Sequence, residues 1–295
     1  MQDVIDRHSY TPNALARFLI QNSTKTIGVL TTEITDPYYA RVVYIVEQQL
    51  KALGYDTFLC NTGKDPESKS QYIHALLEKK VDGLIFVGSV YREKEDSKRI
   101  KEVSSKLPVV LINNHINHEN IYCVVCDDEK GMFDAYVYLA GQGAKEIVYI
   151  HKPNTFSALK KRNGFIKAAG TRQLPGAAYR IINVPEDTWN IKKPLREEFC
   201  RKPFDAVLCC EDIYANQAAT LLQEMGISIP GQVRVMGYND SVICGYTYPE
   251  LSTVDSLMDV MGMEGAQLIH NVLKGNIPKK KVNILTPSLV IRSSG

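Results

Sequence analysis

The chain has 295 residues, 44% of them hydrophobic and 23% charged, which is the balance of a globular protein long enough for two lobes. A formal net charge of +2 gives no global attraction to nucleic acid or to anionic membranes, so any such contact has to be local. Seven cysteines, an odd number, rule against a disulfide framework, and with no basic-then-apolar leader and no run near membrane-span length the chain reads as cytoplasmic, with no membrane partner.

In chain order, residues 1–8 look like the end of a helix. Thr11 can cap a second, with Pro12 at its first position, and residues 13–19 make about two turns. A helix this short is marginal alone in water and needs a partner to order it. Residues 21–25 are a polar linker. An apolar, β-branched run at 26–30 then predicts a buried strand, and a polar loop at 31–36 follows it. Pro37 opens a helix with Val42, Val43, Val46, Leu50 and Leu53 at helical spacing, and Gly54 ends it before a strand near 56–61. The loop at 31–36 lies at the carboxyl end of its strand, where open parallel sheets bind ligands.

Strand and helix go on alternating. Helices are predicted near 65–79 and 93–105, with strands at 84–87, 109–112 and 122–126. An aspartate at Asp127-Asp128 can cap a helix reaching Gly141. The pattern then restarts: strand 147–150, a polar loop, helix 158–169, strand 179–184, helix 193–201, strand 206–210, helix 212–225 and strand 233–237. The tail gives strand 252–254, helix 258–273 and strands near 282–285 and 289–292. Two such runs predict an α/β fold of two similar lobes, each a parallel sheet flanked by helices.

A search for chemistry returns little. Gly141-Gln142-Gly143 closes a helix and is no dinucleotide loop, and neither a Walker loop nor a G-x-S-x-G elbow occurs. Cys123 and Cys126 have metal-pair spacing, but on a strand residues three apart face opposite sides. Lys279-Lys280-Lys281 reads as a solvated turn. The expectation is a protein with no metal, no cofactor and no catalytic residues, and hence not an enzyme.

The ordered set Tyr10-Thr11-Pro12-Asn13-Ala14-Leu15-Ala16-Arg17-Phe18-Leu19, Ile27-Gly28-Val29, Asp36-Pro37-Tyr38-Tyr39, Val81-Asp82-Gly83, Asn163-Gly164-Phe165 and Val235-Met236-Gly237-Tyr238-Asn239-Asp240 resembles LacI-type bacterial transcription regulators, as does the closing Pro287-Ser288-Leu289-Val290-Ile291-Arg292. The resemblance covers nearly the whole chain. It implies a periplasmic-binding-protein-like (type I) effector domain that forms a homodimer and closes on a small molecule, a sugar or sugar phosphate, to control operator DNA as a repressor. Residues 1–21 would be the remnant of the DNA-binding head and the hinge helix, with Asn13, Ala16, Arg17 and Leu19 facing DNA and Leu19 as the minor-groove wedge. Residues 22–127 plus 257–281 would form the N-terminal lobe, and 128–256 plus 282–295 the C-terminal lobe.

By the same resemblance Asp36, Tyr38 and Tyr39 flank the effector, Ser157 and Lys161 approach from the second lobe, and Trp189 stacks on a ring face. Asn113, Asp127, Glu211 and Asn239 line the cleft. Three positions depart from the family's common residues: arginine is usual where Lys161 stands, aspartate where Asn239 stands and asparagine where Glu211 stands. Lysine keeps the charge but loses the bidentate fork. The runner-up function is a stand-alone sugar-binding protein of the same fold, which the hinge motif and free cysteines oppose.

Overall fold

The computed structural model describes residues 23–88, 94–152, 155–171, 178–185 and 190–295. The expected hinge residues Asn13, Ala16, Arg17 and Leu19, and Trp189, lie outside these.

Eight α-helices and twelve strands are found among the described residues. In the first lobe β1 (Thr26–Thr31), α1 (Pro37–Ala52), β2 (Asp56–Asn61), α2 (Pro66–Glu78), β3 (Gly83–Val87), α3 (Lys94–Ser104), β4 (Val109–Ile112) and β5 (Ile121–Cys126) alternate as the pattern requires. The second lobe follows with α4 (Asp128–Gly141), β6 (Glu146–His151), α5 (Phe156–Ala169), β7 (Ala178–Asn183), α6 (Lys192–Arg201), β8 (Ala206–Cys209), α7 (Asp212–Glu224) and β9 (Arg234–Met236). The tail holds β10 (Thr253–Asp255), α8 (Met258–Leu273), β11 (Val282–Leu285) and β12 (Ser288–Val290).

Six strands form the first sheet, in the order β11-β5-β4-β3-β1-β2, and four form the second, β7-β6-β8-β9. Every pairing in both sheets is parallel. Strands β1, β4 and β5 are buried along their whole length, as sheets covered on both faces demand. The first lobe accordingly has two cores, one on each face of its sheet. Cys126 packs in one and Cys123 in the other, so the two thiols diverge as strand geometry predicts.

Two features differ from the sequence reading. Strand Val282–Leu285 was expected in the second lobe, but it pairs with β5 from Val282 opposite Cys123 to Leu285 opposite Cys126. The last passage between lobes therefore follows Leu285. The reason is local: once α8 has packed on the first sheet, the edge of β5 is the nearest open ladder. The second difference is an antiparallel pair, β10 with β12, which forms a small third sheet beside the passages. It joins the second lobe through a bridge from Met236 to Ser252.

Helices α1 and α8 cover one face of the first sheet, and a Cβ at Gly262 would lie 2.7 Å from Ile45. Ile45, which lies beyond the main apolar stripe of α1 and was read as part of a subunit interface, is taken up by α8 of the same chain. Tyr44 beside it remains 54% exposed.

Candidate functional site

In a parallel sheet all loops at the carboxyl ends of the strands emerge on one side. Here the loops after β1, β4 and β5 meet those after β6 and β8. Asp36 caps α1, its Oδ1 accepting from the backbone N–H of Tyr38 at 2.8 Å. Across the gap stands Glu211, at the N-cap of α7 but making no side-chain cap. Burial, and next the facing Glu211 carboxylate, push the Asp36 carboxyl up to about 6, while the Lys152 ammonium pulls the other way. Groups from both lobes are thus close enough to sense each other's charge.

The two tyrosines divide the work. Tyr38 is buried in the first core, its hydroxyl directed at the Met261 sulfur 3.9 Å away. Burial, followed by the nearby Asp128 charge, raises its phenol well above the usual value. Tyr39 stays half-buried, lies edge-on to Tyr38 at 5.5 Å between ring centroids, and covers Gly88 where any Cβ would collide with its ring. Gly88 has φ +109°, so that loop needs glycine twice over. Asn113, at the end of β4, also has a positive φ of 57°. Its backbone N–H donates to Val124 at 2.7 Å, and its Oδ1 is buried without a hydrogen-bond partner.

The adjacent aspartates part company. Asp127 caps α4, accepting from the Lys130 N–H at 3.1 Å. It is Asp128 that turns inward, 2% exposed, and neither of its carboxylate oxygens has a partner within hydrogen-bonding distance. Burial raises its pKa, and the Lys161 charge is the main force opposing the rise. Ser157, Tyr238 and Cys126 gather around it. Lys161 is itself buried. Its ammonium donates to the Cys210 carbonyl at 3.0 Å and sits 3.8 Å from the Tyr238 ring centroid, a cation–π contact. Asn239 is 8% exposed with φ 110°, its N–H donating to Val254 at 2.8 Å.

The structure therefore joins Asp36 to Glu211, Tyr38 to Asn113, and Ser157 and Lys161 to one another through Asp128. Sequence reasoning passed over Asp128, Lys152 and Tyr238. The doubled aspartate was the available signal, since one carboxylate suffices to cap a helix. Among the described residues no group of three or more His, Cys, Asp or Glu could hold a metal ion, and no helix is long and apolar enough to cross a membrane.

The profile of the periplasmic binding protein-like domain matches residues 136–295. An HTH-type transcriptional regulator of Lachnoclostridium phytofermentans is 34% identical over 297 residues, spanning 99% of this chain and 88% of that protein. The HTH-type transcriptional repressor PurR of Mannheimia succiniciproducens is 30% identical over 296 residues, spanning 99% and 87%. A periplasmic binding protein/LacI transcriptional regulator from Alkaliphilus metalliredigens, solved with D-xylulofuranose, matches with a TM-score of 0.79 at 23% identity, over 92% of this chain and 98% of that one. The chain belongs to the LacI-type family of bacterial transcriptional regulators, with a periplasmic-binding-protein-like fold.

Proposed function

We propose that this chain senses a small hydroxylated molecule, a sugar, in the cleft between its lobes and converts lobe closure into a change in operator binding, as a repressor with no catalytic role. The observation that carries the reading is the convergence of Asp36, Tyr38 and Asn113 from one lobe with Asp128 and Glu211 from the other, where acceptor oxygens of Asn113 and Asp128 lie buried without partners. Unpaired buried acceptors are costly and are satisfied by a donor-bearing ligand. Relatives named as regulators and as a repressor, and a similar fold solved with a pentulose, support it. A free sugar fits better than a sugar phosphate, because the Lys161 ammonium is already engaged by Cys210, Tyr238 and Asp128.

We place Ser157, Asn239 and the half-buried Tyr39 at the margin of this cleft, with Trp189 as a stacking surface and Asp127 in a capping role. The homodimer is part of the same reading. Strand β2 is the open edge of the first sheet and leaves Phe58 41% and Leu59 48% exposed, a face that a second copy would cover. Light scattering should return a dimer mass at micromolar concentration; a monomer would remove this part. Operator DNA, and with it a cytoplasmic place of work, follows from the family, and the minor-groove role of Leu19 remains a proposal.

Trp189 is the only tryptophan, which makes the test simple. Titrating a panel of pentoses, hexoses and their phosphates should shift or quench its emission saturably for at least one free sugar. A panel that moves neither the fluorescence nor the melting temperature contradicts the reading. Tight operator binding by the head-bearing protein, released or strengthened by that sugar, separates a regulator from a stand-alone sugar-binding protein.

A further inference from the structure

The cleft is unbalanced in its chemistry. Helix N-termini ordinarily attract anions. Three of them reach this region, and the chain's own carboxylates sit at each: Asp36 on α1, Asp127 and Asp128 on α4, Glu211 on α7. An anionic ligand would thus meet negative charge where the fold could have offered backbone donors. The buried polar atoms without partners here include the Asn113 Oδ1 and both Asp128 oxygens, all acceptors. Of the nearby cations, Lys161 is engaged within the second lobe. Lys152, just past β6, is the cation whose charge reaches Asp36.

Asp36 and Glu211 belong to different lobes, so closure drives two carboxylates together. A cation held between them would reverse the sign of that contact, and closure would then depend on the ligand.

We propose that the effector carries a protonated amine, seated between Asp36 and Glu211, with hydroxyls donated to Asn113 and Asp128: an amino sugar rather than an N-acetylated or phosphorylated one. The proposal rests on the cleft being the effector site. The raised Asp36 pKa of about 6 agrees with it, since that carboxyl lacks a compensating cation. The groups that face Asp36 are Glu211, Tyr214, Lys152 and the N–H groups of Tyr38 and Tyr39. An amine pairs with the ionised carboxylate, so binding should weaken as pH falls through about 6.

The experiment titrates the full chain with hexosamines, each beside its parent hexose, its N-acetyl derivative and its 6-phosphate, by calorimetry and thermal shift. At least one hexosamine should bind saturably, with its N-acetyl and phosphorylated forms weaker by about tenfold or more, the loss of one charge-assisted contact. Glu211→Gln and Asp36→Asn should each cut hexosamine affinity about tenfold. Both substitutions preserve shape, and asparagine still caps. Hexosamine affinity unchanged in both variants overturns the proposal. A neutral hexose that binds while its hexosamine does not also overturns it, yet leaves the cleft reading intact. Binding by no member of the panel brings down both.

Discussion

Gly164→Val is expected to cost about 3 kcal/mol or more of stability, because the new side chain has nowhere to go. Helix α5 crosses α4 so closely that a Cβ at Gly164 would overlap the Glu129 carbonyl oxygen. That atom is backbone, fixed in the first turn of α4, and cannot swing aside like the end of a side chain. Relief requires the two helices to separate, which opens the core around Phe165 and Tyr136. It also moves Asp128, one residue before Glu129, so ligand binding should weaken with stability. Gly141→Ala is the control. A Cβ there meets nothing within 4 Å, and alanine in a helix should stabilise by up to about 1 kcal/mol. Urea midpoints of the two variants should move in opposite directions.

The second large effect is electrostatic. Lys161→Met should destabilise by on the order of 3–5 kcal/mol at neutral pH, since it strands a buried carboxylate without its cation. The Cys210 carbonyl loses its donor at the same time. The pH dependence has a defined sign. Burial holds the folded Asp128 pKa above its ordinary 3.8, so the stability linked to its protonation is fully present below 3.8 and is lost as pH rises through the folded value. Removing Lys161 raises that value further and enlarges the loss at neutrality. The deficit of Lys161→Met should therefore shrink from pH 7 to pH 5, and Asp128→Asn in the same chain should recover most of it. Denaturant midpoints at the two pH values check both statements. A deficit that does not change with pH would mean that packing, not charge, sets it.

Most of the fold is legible in the chain because its strands are fully buried and its helices carry their own punctuation. Met258–Leu273 and Val109–Ile112 are found at the residues the pattern predicts, and Asp65-Pro66 opens a helix whose cap is the Asp65 carboxylate. Strand Val282–Leu285 is different: its periodicity says strand but cannot say which sheet, since partner choice depends on where α8 docks. The cleft was legible as a set of loops and opaque in its details. Nothing local distinguishes Asp127 from Asp128; which carboxylate caps and which turns inward is decided by the helix start and by Lys161 a lobe element away. The charge of Lys161 was legible and its engagement was not, because the Cys210 carbonyl and the Tyr238 ring that hold it lie 49 and 77 positions downstream. Positive φ at Asn113 and Asn239 is the kind of backbone geometry that asparagine tolerates but does not announce.

The central claim is that one small molecule touches both lobes at once, and a crystal structure of the chain with the tightest-binding sugar of the panel tests it most directly. The account predicts that ligand within hydrogen-bonding distance of Asn113 from the first lobe and Glu211 from the second. A ligand resting on one lobe alone, or seated instead in the groove of about 900 Å³ lined by Arg41, Tyr44, Val242 and Asp259, would contradict it.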